Sequence, residues 1–216
     1  MSSEVRAEAQ EKETTRIEAF SDGVFAIALT LLVLDIKVPG IEEAELGGLL
    51  AALLHRWPNF LAFAASFFFI LVMWINHHRL FTVIRRTDNN LMLLNGLLLF
   101  GISLVPFTAA LVAEYLQHPD QVVAIMFYNI WFFIVAIFFN VLWWYASSNN
   151  RLFSAKTDTA LASHISRQYI LGPFLYLGAA LLGLINPYLS LLVSILLAVF
   201  FALPNKGVEQ MMDSAQ

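Results

Sequence analysis

Apolar residues in this chain do not recur at the three-to-four spacing of a half-buried helix. They run almost unbroken for long stretches, and each stretch ends in a short polar interval. Five long runs and one shorter one, at 17–36, 58–76, 91–113, 122–145, 169–185 and 188–203, compare with the ~20 residues a helix needs to cross a bilayer. Spanning β-strands would alternate in polarity and be about half as long. The pattern predicts six membrane helices. Pro58 sits in a first turn, where helices tolerate proline, and Pro106 predicts a kink in the third run. Gly172-Pro173 lies near the entry of the fifth run, and Pro187 and Pro204 bracket the sixth. The fourth run, with Trp131, Phe132 and Phe133, reads as lipid-facing surface. Asn129 and Asn140 are three turns apart on one of its faces, which predicts hydrogen bonds to neighbouring helices. Between the first two runs, Glu42-Glu43-Ala44-Glu45 followed by 46–54 predicts a short amphipathic helix on the outer surface.

Composition sharpens the class. Of 216 residues, 59% are hydrophobic and 13% charged, whereas soluble domains carry about 25% charge. The expectation is an all-α integral membrane protein with six transmembrane helices per subunit. Ten of the 12 Lys and Arg residues fall on one side when both termini share it, leaving Lys37 and Arg56 opposite. That predicts a multi-pass protein of the cell membrane with both termini cytoplasmic. It also divides the chain into a cytoplasmic segment 1–15, a membrane domain 16–204 and a cytoplasmic tail 205–216. Residues 1–16 mix Glu with Lys and Arg, unlike the basic start of a cleaved signal peptide. The chain has no cysteine, and its net charge of −4 offers no basic patch for nucleic acid. His77 and His78 point about 100° apart on a helix and do not share an ion. No Ser/His/Asp set, phosphate loop or paired carboxylates suggest catalysis, so neither an enzyme nor a resident cofactor or metal is expected.

Asp22 needs the most explanation. A carboxylate at mid-bilayer costs roughly 2.5–3.5 kcal/mol on insertion scales. The large apolar side chains of 24–34 return roughly 2.4–4.8 kcal/mol, so the helix inserts, but the acid still needs a partner. Arg16 is six residues away and nearly opposite. The stretch Trp74-Ile-Asn76-His77-His78-Arg79, with Asp88, Asn89 and Asn90, offers polar groups at the same depth. Further along the first helix, Ile27, Thr30 or Leu31, and Leu34 form one stripe, with Gly23, Ala26 and Thr30 as a small-residue edge. Periodicity alone leaves that stripe facing lipid or other helices. It also leaves open a secondary transporter or proton-conducting protein that uses Asp22 and His77 as a relay.

The run Arg16-x-x-x-Phe20-Ser21-Asp22-Gly23, followed by an Ala/Ile/Leu/Thr-rich helix ending near Asp35, resembles the Phe-Ser-Asp signature of the endosomal and lysosomal transmembrane potassium channel family. Trp74-x-Asn76-His77-His78 resembles that family's second-helix motif. The resemblance implies a potassium-preferring cation channel whose central pore is lined by the first helix of each subunit. A single copy of the signature implies a homotetramer in the lipid bilayer. Ile27 would then be the apolar constriction, Thr30 a polar ring and Leu34 a further ring, with Leu31 replacing Thr30 if the helix is rotated. Arg16, Phe20, Ser21, Asp22, Trp74, Asn76 and His77 would form the motif network that fixes the pore helix. Asp35 would sit at the outer mouth, with Glu42, Glu43 and Glu45 beyond it concentrating cations. Potassium and other monovalent cations would be the permeant partners. No Thr-Val-Gly-Tyr-Gly filter is present, so only a modest preference for potassium over sodium is expected.

Overall fold

A computed structural model describes residues 3–45, 47–153 and 159–203; the side chains of 3–12, 159–164 and 168 are not described. The predicted tail 205–216, Lys156 and the His164 side chain lie outside the described residues. The helices are α1 (Ser3–Leu31), α2 (Ile41–Glu45), α3 (Leu49–His55), α4 (Trp57–Val83), α5 (Asn89–Ser103), α6 (Val105–Tyr115), α7 (Gln121–Ser147), α8 (Thr159–Leu182) and α9 (Pro187–Ala202). A 3-10 turn, Leu32–Asp35, ends α1. Among the described residues the only β contact is an isolated bridge between Ile84 and Phe153. Among the described residues, four stretches are long and apolar enough to cross a membrane: Glu13–Asp35, Trp57–Val83, Asn89–Tyr115 and Gln121–Asn150. The 24 residues of α8 and the 16 of α9 follow them.

Two prolines show how backbone groups are satisfied where water is absent. Pro106 lacks an N–H, and the third span breaks at Leu104 into α5 and α6. The Gly101 carbonyl beside the break accepts a 2.8 Å hydrogen bond from Trp131 Nε1 on α7. The glycine allows a close approach here, since a Cβ would lie 3.1 Å from Val135 and 3.2 Å from Phe138 and would push those side chains back by a few tenths of an ångström. Pro173 lies inside α8, and the carbonyl four residues earlier, Tyr169, accepts 2.8 Å from Asn140 Nδ2 instead. The Asn140 amide stands in for the missing donor and α8 continues. Asn140→Leu strips that carbonyl of its donor in an apolar setting, a loss of about 1–3 kcal/mol. Thermal unfolding in detergent should therefore shift down by several degrees, and an unchanged midpoint would refute this role for Asn140.

Asn129, as expected, bonds outward: its Nδ2 donates to Ser190 Oγ (2.7 Å), and its Oδ1 accepts from Ser194 Oγ (2.7 Å). Ser190 Oγ donates in turn to the Ala179 carbonyl, which ties α7, α8 and α9 together. The fourth span corrects the lipid-facing expectation. Phe132 is fully buried, stacked on Phe69 at 4.5 Å and edge-on to Tyr128 at 4.7 Å, while Trp131 and Phe133 are half-buried. A helix that is apolar all round has no polar side to mark which face meets lipid.

The loop between the first two spans also differs from expectation. In place of a single amphipathic helix it forms α2 and α3, separated at Gly48, whose φ of 84° favours glycine. At the opposite end of the bundle the Arg85 and Arg86 amides both donate to the Leu152 carbonyl, pinning the α4–α5 loop to the α7–α8 loop.

Candidate ion pathway on the first helix

The helix α1 is the least enclosed of the four long spans: 22% of its apolar window is buried, against 39–44% for the others. Its two sides differ sharply. Phe25, Ala28 and Leu32 are buried at i, i+3 and i+7 against the rest of the chain. Ile27 (60% exposed), Thr30, Leu31 and Leu34 (69% exposed) occupy the opposite side, with Gly23 and Ala26 beside them. The predicted stripe is therefore one continuous face that the subunit itself leaves uncovered. The Thr30 hydroxyl donates to the Ile27 carbonyl at 2.9 Å. With its proton committed to the backbone, that oxygen offers only acceptor lone pairs outward, which suits a cation.

Below this face, α1 is fixed by two polar ties. Asp22 meets the partner its burial demands: Trp74 Nε1 donates to Asp22 Oδ1 at 2.8 Å, a charge-assisted bond worth about 1.5–3 kcal/mol. The helix continues without interruption through Ser21-Asp22-Gly23. The second tie runs from His77 through Asn95 to Ser21. Asn95 Nδ2 donates to Ser21 Oγ (2.9 Å), so Asn95 Oδ1 is the acceptor for His77 Nε2–H (2.9 Å). Ser21 Oγ passes its own proton to the Ile17 carbonyl at 2.8 Å. All three side chains are buried, and His77 is stacked against Phe81 at 4.5 Å and packed against Phe25 at 5.4 Å. Its Nδ1 has no hydrogen-bond partner among the described residues. A further contact, His78 Nδ1 to Glu18 Oε1 at 2.7 Å, lies at the exposed end of the same interface.

The motif residues thus do not all converge. Ser21, Asp22, Trp74 and His77 meet between α1, α4 and α5. Asn76, one residue from His77 but turned by about 100°, bonds instead to the Val72 and Phe201 carbonyls. Arg16 and Phe20 are exposed and line a cavity of about 850 Å³ with Asp88, Asn89 and Arg151. Asp88 caps α5 through the Leu91 amide and accepts from Tyr145 Oη. Sequence reasoning missed Asn95. Its signal was available: one carboxamide inside an otherwise leucine-rich stretch needs a partner much as Asp22 does.

At the other end, Asp35 closes the 3-10 turn and borders a cavity of about 970 Å³ with Lys37, Glu43, Arg56 and Glu114. Glu43 is not a free acid there, because it accepts both of its hydrogen bonds from Arg56 Nη2 at 2.9 Å. Among the described residues, no group of three or more His, Asp or Glu side chains is arranged to hold a metal ion.

Known proteins are similar to this chain in sequence and fold. Residues 16–106 match the family model described as endosomal/lysosomal potassium channel TMEM175. A protein of Chamaesiphon minutus named as a potassium channel is 51% identical over 198 residues, covering 92% of this chain and 98% of that one. A second so named, from Streptomyces collinus, is 40% identical over 88% of this chain and 91% of its own length. Among solved structures, a crystal structure titled as a lysosomal potassium-selective channel TMEM175 homolog from Chamaesiphon minutus superposes with a TM-score of 0.82 at 49% identity, covering 89% of this chain and 97% of that one. The matched segment contains both α1 with its uncovered face and the α4–α5 groups that hold it, and the likeness continues through the remaining helices. The chain is a multi-pass membrane protein that belongs to the endosomal/lysosomal potassium channel TMEM175 family.

Proposed function

We propose that this chain is the subunit of a homotetrameric, potassium-preferring cation channel of the cell membrane. Each subunit contributes six membrane helices, with both termini cytoplasmic, and the pore is lined by α1. Four Ile27 side chains form the constriction, Thr30 offers a ring of oxygens one turn away, and Leu34 lies outward, with Asp35 at the outer mouth. The observation that carries this reading is the uncovered face of α1, with an acceptor-only Thr30 oxygen among aliphatic side chains. A constriction of branched side chains excludes hydrated ions by dewetting, and a ring of oxygens replaces part of the water an ion sheds. The names carried by the relatives from Chamaesiphon minutus and Streptomyces collinus agree with potassium as the permeant ion.

The relay alternative gains no support from the polar contacts. Asp22 is bound to Trp74 while His77 is bound to Asn95, and a carboxamide accepts and donates without passing a proton through. Purified protein in liposomes should carry potassium down its gradient, with sodium slower by a modest factor, and native mass spectrometry of the same preparation should give four copies. Flux saturating at transporter turnover rates, or a monomeric mass, would overturn the proposal.

A further inference from the structure

The outer end of α1 is the part of the pore helix with the fewest intrinsic constraints. After Leu31 the helix tightens into the 3-10 turn Leu32–Asp35, and 37–40 is outside any helix. Burial does little to hold this segment, since Val38 is 86% exposed and Ile41 80%. One side chain spans the gap. Arg56, at the junction of α3 and α4, donates from Nη1 to the Lys37 carbonyl at 3.0 Å and from Nη2 to both Glu43 oxygens at 2.9 Å. Asn59, one turn into α4, donates to the Asp35 carbonyl at 3.5 Å. A planar guanidinium is suited to this, because one of its nitrogens, Nη2, faces both carboxylate oxygens while Nη1 is left for the carbonyl.

We propose that Arg56 and Glu43 are positioning residues for the pore: together they tie the outer end of α1 to α2 and α4 and hold Asp35 in place at the mouth. This rests on the channel reading. In a four-fold arrangement the Asp35 carboxylates repel one another, and the tie opposes the outward splaying that repulsion drives. Losing it favours the open pore. The pair also has an electrostatic effect, and the two can be separated by sign. If Arg56 and Glu43 act only through charge, Arg56→Gln strengthens cation attraction and Glu43→Gln weakens it, and both effects fade in concentrated salt. If they act as a tie, both substitutions move gating the same way in dilute salt, where neither the ion pair nor the Asp35 repulsion is screened.

Single-channel recording of the reconstituted full chain tests this, in dilute and in molar potassium chloride. Arg56→Gln and Glu43→Gln are each expected to raise open probability about threefold in dilute potassium chloride. The difference from the parent shrinks in molar salt as the ion pair and the Asp35 repulsion are screened. Arg56→Lys, which keeps the charge and a shorter reach, stays closer to the parent. Opposite-signed changes, or no change in dilute salt, overturn the proposal. Should either Gln variant fail to assemble, Glu43→Asp decides: it keeps the charge but withdraws it by one methylene, so it raises open probability under the tie and leaves it unchanged under charge tuning alone. Ile27→Asn recorded alongside keeps the two readings apart. If neither it nor the Arg56 and Glu43 variants alter conduction, the pore assignment has failed. If Ile27→Asn alone has an effect, only the tie has.

Discussion

Ile27→Asn is expected to raise single-channel potassium conductance by about tenfold, with assembly intact. The side chain is 60% exposed within the subunit, so the substitution removes little packing from the fold. Its effect falls on the ion. At a ring of isoleucines a cation gives up water and receives nothing in return. Four asparagines hydrate the constriction, and regaining about one net hydrogen bond, worth about 1.4 kcal/mol, lowers the barrier enough for a tenfold change in rate. Thr30 lies one turn away with its acceptor lone pairs already turned outward, so the two polar rings would act in succession. Single-channel currents in symmetric potassium measure this directly. Unchanged conductance from well-formed tetramers would place the constriction elsewhere and leave the α1 stripe as lipid or packing surface.

Asn95→Leu should cause the largest loss of stability. The change removes the acceptor for His77 Nε2–H and the donor to Ser21 Oγ in one step, orphaning the buried imidazole N–H and leaving Ser21 Oγ with only its bond to the Ile17 carbonyl. The orphaned N–H costs about 1–3 kcal/mol and the lost bond to Ser21 about 1 kcal/mol more, so the unfolding midpoint should fall by roughly 10 °C. The same asymmetry supplies a control. Replacing all three partners together, Ser21→Ala, His77→Phe and Asn95→Leu, leaves nothing polar to orphan and should recover much of the loss. A single Asn95→Leu as stable as the parent would mean that the tie does not hold α1. A triple variant no better than the single one would mean that the cost is steric. Detergent thermal-shift curves, read by size exclusion, distinguish these outcomes.

Much of the architecture was legible because hydrocarbon imposes a simple rule: long apolar runs must be helices, and every intramembrane polar group must find a partner. That rule located the long spans and the break near Pro106, and it required a partner for Asp22, supplied by Trp74. It also paired Asn129 and Asn140 with neighbouring helices. What it does not give is which way a face turns. Asn76 and His77 are adjacent in sequence and serve different interfaces, a distinction that depends on helix rotation. Phe132 looked like lipid-facing surface and is core, since lipid and protein interior favour the same side chains. Asn95 was passed over in favour of Asp88, Asn89 and Asn90, which are nearer the helix start; of these, Asp88 caps the helix and bonds Tyr145. Glu43, counted among the cation-concentrating acids, is neutralised by an arginine from a different part of the loop. Such long-range charge pairing leaves no trace in local periodicity.

The continuity of α1 has a mechanical meaning. Its 29 residues without a break make a rod about 43 Å long at ~1.5 Å per residue, longer than the ~30 Å hydrocarbon layer. No break interrupts the helix from its amino-terminal end to Ile27, so a torque applied at that end would reach Ile27 as a rigid rotation. The protruding stretch is a crank handle, and the Asp22–Trp74 bond lies near its fulcrum.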